Sequence, residues 1–581
     1  MGMGTTRSDE RILASQGLLS GHAQPKFEHS EGLCNAGVLF ILPALLEQGL
    51  LTTKEIYKLP DTHYYSLESV VLTLAFMALS RIKNPEQLKQ CNPGEIGRII
   101  GLDRVPQIKN LRNKVKLLSE QRQAKTLNNL LIDQWYGDQE GQSAFLYIDG
   151  HVRVYYGKKA NLTKKHVARQ KLCLSATTEY WVNDEEGLPV MVVMGQLNEK
   201  LQDVIEHQII PQLQQTVLAN QEPKENEPLC TLIFDREAYE PKFFSRLWEK
   251  YRIAVITYRK NVKDSWPEKH FVSIDTKVLN NKVTMYLSES KVELQGDTFR
   301  EIRRLSNNGH QIPVLTNHPS LTTSYIAERM FGRWSQENFF RYLIQDYDFD
   351  KMVEFGVETI DPEEEVVNPA YRKLSNELKK IRGQITRIEA QRQRISDTMV
   401  VDTDIDQIPQ VAQKQEAYKE KQSQLKEKEE KLLQERTKHP ARIKLKEMPE
   451  KNRYNRLKTE SKLLMNVIKM ISYRAETSVA NLLNQYLKEG QKEKRMLVKQ
   501  IIQTPADLIP DEQNNTLTVR LYSLSANRYN QAANKLCQLL NETETIFPGT
   551  NLKMIFKTTA ISDCEEQGVL NLSRYFVFER W

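Results

Sequence analysis

The chain has 581 residues, with 82 Lys and Arg against 75 Asp and Glu, a net charge of +7 and a pI near 8.8. That length excludes a single compact core and predicts three or four domains, while the mild basic bias permits nucleic-acid binding without requiring it. The six scattered cysteines (Cys34, Cys91, Cys173, Cys230, Cys537 and Cys564) exclude a zinc ribbon, a CxxC redox site and a disulfide scaffold, and read as small core residues of a reducing compartment.

Residues 1–35 are polar and expected to be flexible, and "MGMGTTRSDERILASQG" carries no signal-peptide pattern. The longest apolar runs, "AGVLFILPALL" (36–46) and "SVVLTLAFMAL" (69–79), are too short to span a bilayer, so a soluble cytoplasmic protein with no membrane partner is expected. Residues 36–140 read as a helical DNA-binding domain. "SLESVVLTLAFMALSRI" (66–82) opens on a Ser cap with Glu68 close behind it. "NPGEIGRIIGLDRVPQIKNLRNKVKLLSE" (92–120) outlines a helix-turn-helix whose second helix carries Lys109, Arg112, Lys114 and Lys116. A small bundle with a solvated basic face fits the same pattern.

From 141 to 360 the period turns strand-like. "AFLYID" (144–149), "RVYYG" (153–157), "KLCLSATTEYWVN" (171–183) and "LPVMVVMG" (188–195) precede a helix at about 200–218. "CTLIFDREAYEPKFFSRLWEKYRIAVITYRK" (230–260) then reads strand, loop, helix, strand, so this domain is an α/β layer with a mixed sheet. "NNKV" (280–283), "QGD" (295–297) and "NNGH" (307–310) mark a β-meander inserted at about 265–317, after which a helical pattern resumes at 324. Residues 361–450 predict a long antiparallel helical hairpin. Leu374, Leu378, Ile381, Ile385, Ile388 and Ile395 recur at spacings of four and three, Arg392 takes one seam position, "VDTDIDQIP" (401–409) breaks the pattern, and a charged helix follows at 413–436. Eight Lys and Arg stand against three acids between 370 and 398, suiting a DNA contact, a dimer contact or a simple intramolecular hairpin. Residues 451–581 read as a helical C-terminal domain with short strands near its end.

Two strands stop on a carboxylate. "FLYIDGH" (145–151) ends on Asp149, with Gly150 and His151 behind it, and "TLIFDRE" (231–237) ends on Asp235. Each Asp alone suits a turn or a helix cap. Together, at neighbouring strand ends, they would repel one another unless a cation lay between them, and magnesium takes hard carboxylate oxygens. Glu337 in "GRWSQENFF" is the candidate third carboxylate, four residues after Arg333 on the expected helix, where the two otherwise make a surface ion pair. Glu237 reads as a loop residue and His151 as a partly buried, hydrogen-bonded one. Arg153, Lys158, Lys159, Lys164, Lys165 and Arg169 form a basic stretch beside the site, suited to phosphate or simply to solvent.

"YIDGH", "IFDRE" and "GRWSQENFFRYL" resemble the motifs of DDE transposases of bacterial insertion sequences, in the group whose RNase H-like domain is interrupted by a β insertion before the last carboxylate. The resemblance spans about 140–350, and "NPEQLKQCNPGEIGRIIGLDR" resembles their N-terminal segment. It implies an α/β multidomain protein with a retroviral-integrase-like core, flanked by helical N-terminal and C-terminal domains. Asp149, Asp235 and Glu337 would be the catalytic triad and would hold two Mg²⁺ or Mn²⁺ ions. The implied activity is cleavage at transposon ends and joining of the freed 3′-hydroxyl to target DNA. The implied partners are double-stranded DNA and a second copy of the chain, with the protein on the nucleoid when bound. Arg333, Arg341, Lys158, Lys159, Arg112 and Lys116 are the expected DNA contacts. The family's Tyr, Arg, Glu, Lys signature is matched at Arg333 and Glu337, whereas its Tyr and Lys positions hold Met330 and Ile344, with Arg341 and Tyr342 nearby as substitutes. Two other readings stay open: a transposase-derived DNA-binding protein without catalysis, and an RNase H-like nuclease without strand transfer.

Overall fold

In a computed structural model, the described residues are 5–559, apart from 138–143, 158–159, 161, 163, 168–169, 196–198, 219–225, 263, 279–280, 348–356, 359–360, 402–407, 449–455 and 488–489. Within helices and strands, the side chains of 165–166, 281, 334–338, 390, 393–401, 408–412, 414, 456 and 485 also lie outside the description.

The helix Leu67–Leu79 is capped by Ser66, whose Oγ accepts from the Ser69 amide at 3.1 Å, and nearly all its residues are buried. A helix apolar on every side must be enclosed. Part of its enclosure comes from the far end of the chain: helix Glu460–Leu482 packs on it and on Leu42–Glu47. One core joins Leu39, Val71 and Leu111 to Ile468, Val498 and Phe556. This corrects the separate N-terminal and C-terminal domains expected from sequence, because neither apolar surface is covered by its own segment alone. Strand β1 (Ser30–Leu33) completes a four-stranded sheet with Ala506–Asp511, Thr516–Leu521 and Lys553–Thr558, the last parallel to its neighbour after helix Asn527–Glu542. The second correction is at residues 5–35, expected to be loose. Helix Ser8–Ser15 is tied to Asp103, which accepts from Arg11 Nε at 2.8 Å and from the Tyr64 hydroxyl at 2.8 Å. Among the described residues no single helix is long and apolar enough to cross a membrane.

The central sheet contains β2 (Ala144–Val154), β3 (Lys164–Val167), β4 (Leu172–Asn183), β5 (Pro189–Gly195), β6 (Cys230–Phe234), β7 (Ile253–Tyr258), β8 (Val272–Val278), β9 (Asn281–Leu294), β10 (Asp297–Leu305) and β11 (Gln311–Thr316). Their order is β3-β4-β2-β6-β7-β11-β10-β9-β8, with β5 also paired to β4. β2, β4 and β5 are antiparallel, while β6 and β7 join β2 in parallel, with helix Pro241–Tyr251 as the crossover between β6 and β7. The meander β8–β11 continues the same sheet through an antiparallel β11–β7 pairing. Its β9–β10 turn sits at Gln295 and Gly296, both at positive φ (57° and 89°), the backbone that a two-residue hairpin requires.

Residues alternate between two buried faces. Leu146, Ile148, Leu232 and Phe234 meet Phe243 and Phe244 on one side, and Tyr147, Ile233 and Ile256 meet Ile326 and Met330 on the other. The second face is covered by helices Thr323–Gly332 and Trp334–Tyr347. Beyond them, helices Pro369–Val401 and Ile408–Thr437 pack antiparallel. Leu374, Leu378, Ile385 and Ile388 are buried in their seam, and Arg392 bonds Gln422 across it at 2.6 Å.

Candidate active site

The strand register places the two aspartates. β2 and β6 run parallel with Ile148 opposite Phe234, so the next step sets Asp149 beside Asp235, the first residue past β6; β2 itself runs on to Val154, which corrects the strand expected to end on Asp149. Such strands lie about 4.8 Å apart, and side chains at matched positions point to one face. That face is the one covered by Trp334–Tyr347. Asp235 does the capping read from sequence, its Oδ1 accepting from the Arg236 amide at 2.7 Å at the start of a short 3-10 turn, whereas Asp149 makes no turn and its Oδ1 accepts from the Gly150 amide at 3.0 Å within β2.

Arg333 stands over the pair, its Nη2 at 3.8 Å from Asp235 Oδ2. It occupies the joint between Thr323–Gly332 and Trp334–Tyr347, which corrects the single helix expected to carry both Arg333 and Glu337. Burial pushes the Asp149 carboxyl up to about 6; Arg333 works against that shift, and the Glu237 and Asp235 charges add to it. Raised titration caused by burial and like charges is what a cation between carboxylates relieves.

Glu237 is the residue whose place the sequence did not reveal. The short turn capped by Asp235 brings it beside Gly150, where an added Cβ would lie 3.4 Å from Glu237 Oε2 and 2.9 Å from the Tyr180 ring. The Tyr180 hydroxyl donates to Glu237 Oε1 at 3.3 Å. The glycine after Asp149 therefore admits a tyrosine and a carboxylate. The only sequence signal was the two-residue spacing from Asp235.

Glu337 lies on Trp334–Tyr347, and its side chain is outside the description. The helix that carries it is fixed over the sheet. Phe340 stacks on His151 (ring centroids 5.8 Å, planes 18° apart), and Phe339 packs on Trp181, the cross-strand neighbour of Asp149. His151 is buried, as expected. Among the described residues no three His, Cys, Asp or Glu side chains form a metal-holding group. The oxygen donors that are described, on Asp149 and Asp235, are of the hard type that magnesium or manganese takes.

The remaining expected contacts divide. Met330 is fully buried among Tyr147 and Ile326, and Ile344 packs beside Phe339, so both serve the core. Tyr342 is committed to Glu476, to which its hydroxyl donates, while Arg341 is exposed. Arg112 and Lys116 are exposed on helix Ile108–Glu120, Arg112 ion-paired with Glu86 and Lys116 at 3.7 Å from Glu120. Lys114 on the same helix faces inward to His63, its pKa lowered by burial to about 8, which corrects its place among the outward cations. Arg153 is likewise buried and pairs with Glu179 at 2.8 Å, so it is a structural cation. Lys158 and Lys159 lie outside the described residues.

The fold and the paired aspartates together define an α/β protein with an acidic site where Asp149, midway along β2, lies beside Asp235, just past the end of the parallel strand β6. A family model described as "Transposase protein" matches residues 2–560, and the chain belongs to that transposase family. Neither the curated proteins nor the solved structures provide a match.

Proposed function

We propose that this transposase is of the DDE type and comes from an insertion sequence. On this reading it cleaves phosphodiesters at the element's ends and joins the freed 3′-hydroxyl to target DNA. The observation that carries the reading is the β2–β6 register that sets Asp149 beside Asp235. The strand order supports it: β5-β4-β2-β6-β7 runs 3-2-1-4-5 in order of appearance, three strands antiparallel and two parallel to the first, the order of an RNase H-like core.

Asp149, Asp235 and Glu337 would hold two Mg²⁺ or Mn²⁺ ions, with Glu237 in reach of the first pair. When bound, the ions supply charge neutralisation and activation of the attacking oxygen. The chain's own part is positioning. Adjacent strands fix the two aspartates, the Phe340–His151 stack holds the third carboxylate's helix over them, and Arg333, beside Asp235, brings positive charge to where a phosphate would lie. The exposed Arg112, Lys116 and Arg341, together with Lys158 and Lys159, are proposed to hold the duplex. A homodimer acting on paired ends in the cytoplasm belongs to the same proposal.

The test is cleavage of DNA bearing the element's inverted repeats in Mg²⁺, with Asp149→Ala, Asp235→Ala and Glu337→Ala compared with wild type. Each variant is expected to lose cleavage by at least about 10³-fold while still binding end DNA. Wild-type turnover by any one variant strikes that residue from the triad. A wild-type protein that binds but never cuts leaves the non-catalytic reading, which the burial of Met330 and the core packing of the half-buried Ile344 favour. Cutting without joined product leaves the nuclease.

A further inference from the structure

The hairpin Pro369–Val401/Ile408–Thr437 is the longest feature that this chemistry does not use, and its charges are distributed unevenly. At 100° per residue, over residues 372–387 the face of the first helix opposite the buried seam carries Arg372, Lys373, Lys379, Lys380 and Arg387, with Asn376 and Gly383 between them and no carboxylate in that stretch. Lys373, Lys380 and Arg387 recur every seven residues, about 10.5 Å apart along the axis. All three are exposed, as is Lys379. Glu377 sits on a flank of that stretch, and Glu389 is turned to Gln422 across the seam, accepting at 3.0 Å. On the second helix, by contrast, Lys and Glu alternate and compensate one another, as in Lys431–Glu427 at 2.6 Å and Lys419–Glu416 at 3.8 Å. Among the described residues, Lys373, Lys379, Lys380 and Arg387 make no ion pair.

We propose that this face is a DNA-binding surface that seats the phosphate backbone of duplex DNA without reading its sequence. An uncompensated row of cations raises the local potential, and its natural occupant is a polyanion. A second copy meeting it through the same face would oppose like charges, so an isologous dimer is disfavoured there. Lys and Arg on a rigid helix fix the duplex's position, leaving sequence readout to other parts of the chain. The inference rests on the transposase reading only in taking DNA as the ligand.

The test measures binding of the full-length protein to a duplex lacking the element's ends, in chelator, across a KCl titration. For K379E/K380E/R387E, log K against log[KCl] is expected to become shallower by roughly 2–3, at about 0.9 for each phosphate left without its cation, with at least tenfold weaker binding at moderate salt. K421E/K426E/K428E on the second helix changes net charge equally and is expected to leave the slope alone. K379Q/K380Q/R387Q, with melting compared to wild type, covers the case in which the reversed triple misfolds, and it is expected to lower the slope in the same sense. Equal slope changes from both helices, or none from the first, overturn the proposal. End cleavage by the same proteins is scored separately: a wild type that cuts, with an unaltered slope in the first-helix variants, sinks this surface alone, whereas a wild type that binds with the expected slope and never cuts sinks only the catalytic reading.

Discussion

Asp149 carries an energetic signature that fits the role proposed for it. Its folded carboxyl titrates at about 6, raised first by burial and then by Glu237 and Asp235. A carboxyl raised in the folded state binds its extra proton between the unfolded value near 4 and about 6, so stability falls as pH rises through that window and the loss is complete above it. In chelator at pH 8, Asp149→Asn is therefore expected to stabilise the protein by about 1–3 kcal/mol, and at pH 4 to change little. Urea unfolding at the two pH values reads this directly. Mg²⁺ added at pH 8 is expected to raise the wild-type melting temperature and leave that of Asp149→Asn unmoved, since a ligand of the native state stabilises by mass action. Equal melting of both proteins at pH 8, with and without Mg²⁺, would contradict a strained acidic site.

At the scale of elements, the helix that bears Glu337 hangs from a buried ion network. Glu476, fully buried on Glu460–Leu482, accepts from Arg81 Nη2 at 2.9 and 3.0 Å and from the Tyr347 hydroxyl at 2.5 Å, and also from Tyr342. Burial opposes its charge, but Arg81 and Arg495 outweigh that and hold the carboxyl below its usual range. Asp346 adds a second tie, accepting from Lys499 Nζ at 2.6 Å. Glu476→Gln takes the shared carboxylate from two buried guanidinium groups, leaving Arg81 with Asp346 at 3.4 Å, and is expected to cost about 3–5 kcal/mol, whereas Tyr342→Phe removes two hydrogen bonds, one to Glu476 and one from Arg81, at about 1 kcal/mol each. Denaturant midpoints check both, and a Glu476→Gln protein as stable as Tyr342→Phe would dismiss the network as an anchor. None of this was legible in the sequence, because its members come from three segments, at Arg81, at 342–347 and at 476–499, each more than a hundred residues from the next. What was legible is local. The period-two strands that carry Asp149 and lead into Asp235, the meander turns at 295–297 and 307–310, and the hairpin seam all follow from short-range pattern, whereas the run of β2 past Asp149 does not. The break at Arg333 and the inward turn of Lys114 were hidden, since backbone at a helix joint and a lysine's burial are decided by what packs against them.

At the scale of the molecule, the two ends of the chain are one folding unit. Asp103 draws residues 5–15 onto the helical part; burial opposes its charge, but bonds from Arg11 and Tyr64 hold its carboxyl at about 2. Strand β1 pairs with Ala506–Leu508, and the Leu67–Leu79 helix is enclosed by Glu460–Leu482. The sheet and hairpin are therefore threaded between halves of a single core. Each large apolar side chain withdrawn from water is worth about 1.5–3 kcal/mol, and Leu464, Val467, Ile468, Ile471, Val498 and Ile501 are six from the C-terminal side alone. That gross loss of about 9–18 kcal/mol matches or exceeds the 5–15 kcal/mol by which a domain is usually stable. A fragment ending at residue 450 is therefore expected to be insoluble or molten, binding a hydrophobic dye and melting without a cooperative transition. Co-expression with residues 451–581 is expected to restore a soluble complex that elutes as one species on size exclusion. A fragment 1–450 that melts cooperatively by itself would show that the N-terminal helices close a core without the C-terminal ones, and the two ends would then be separate domains after all.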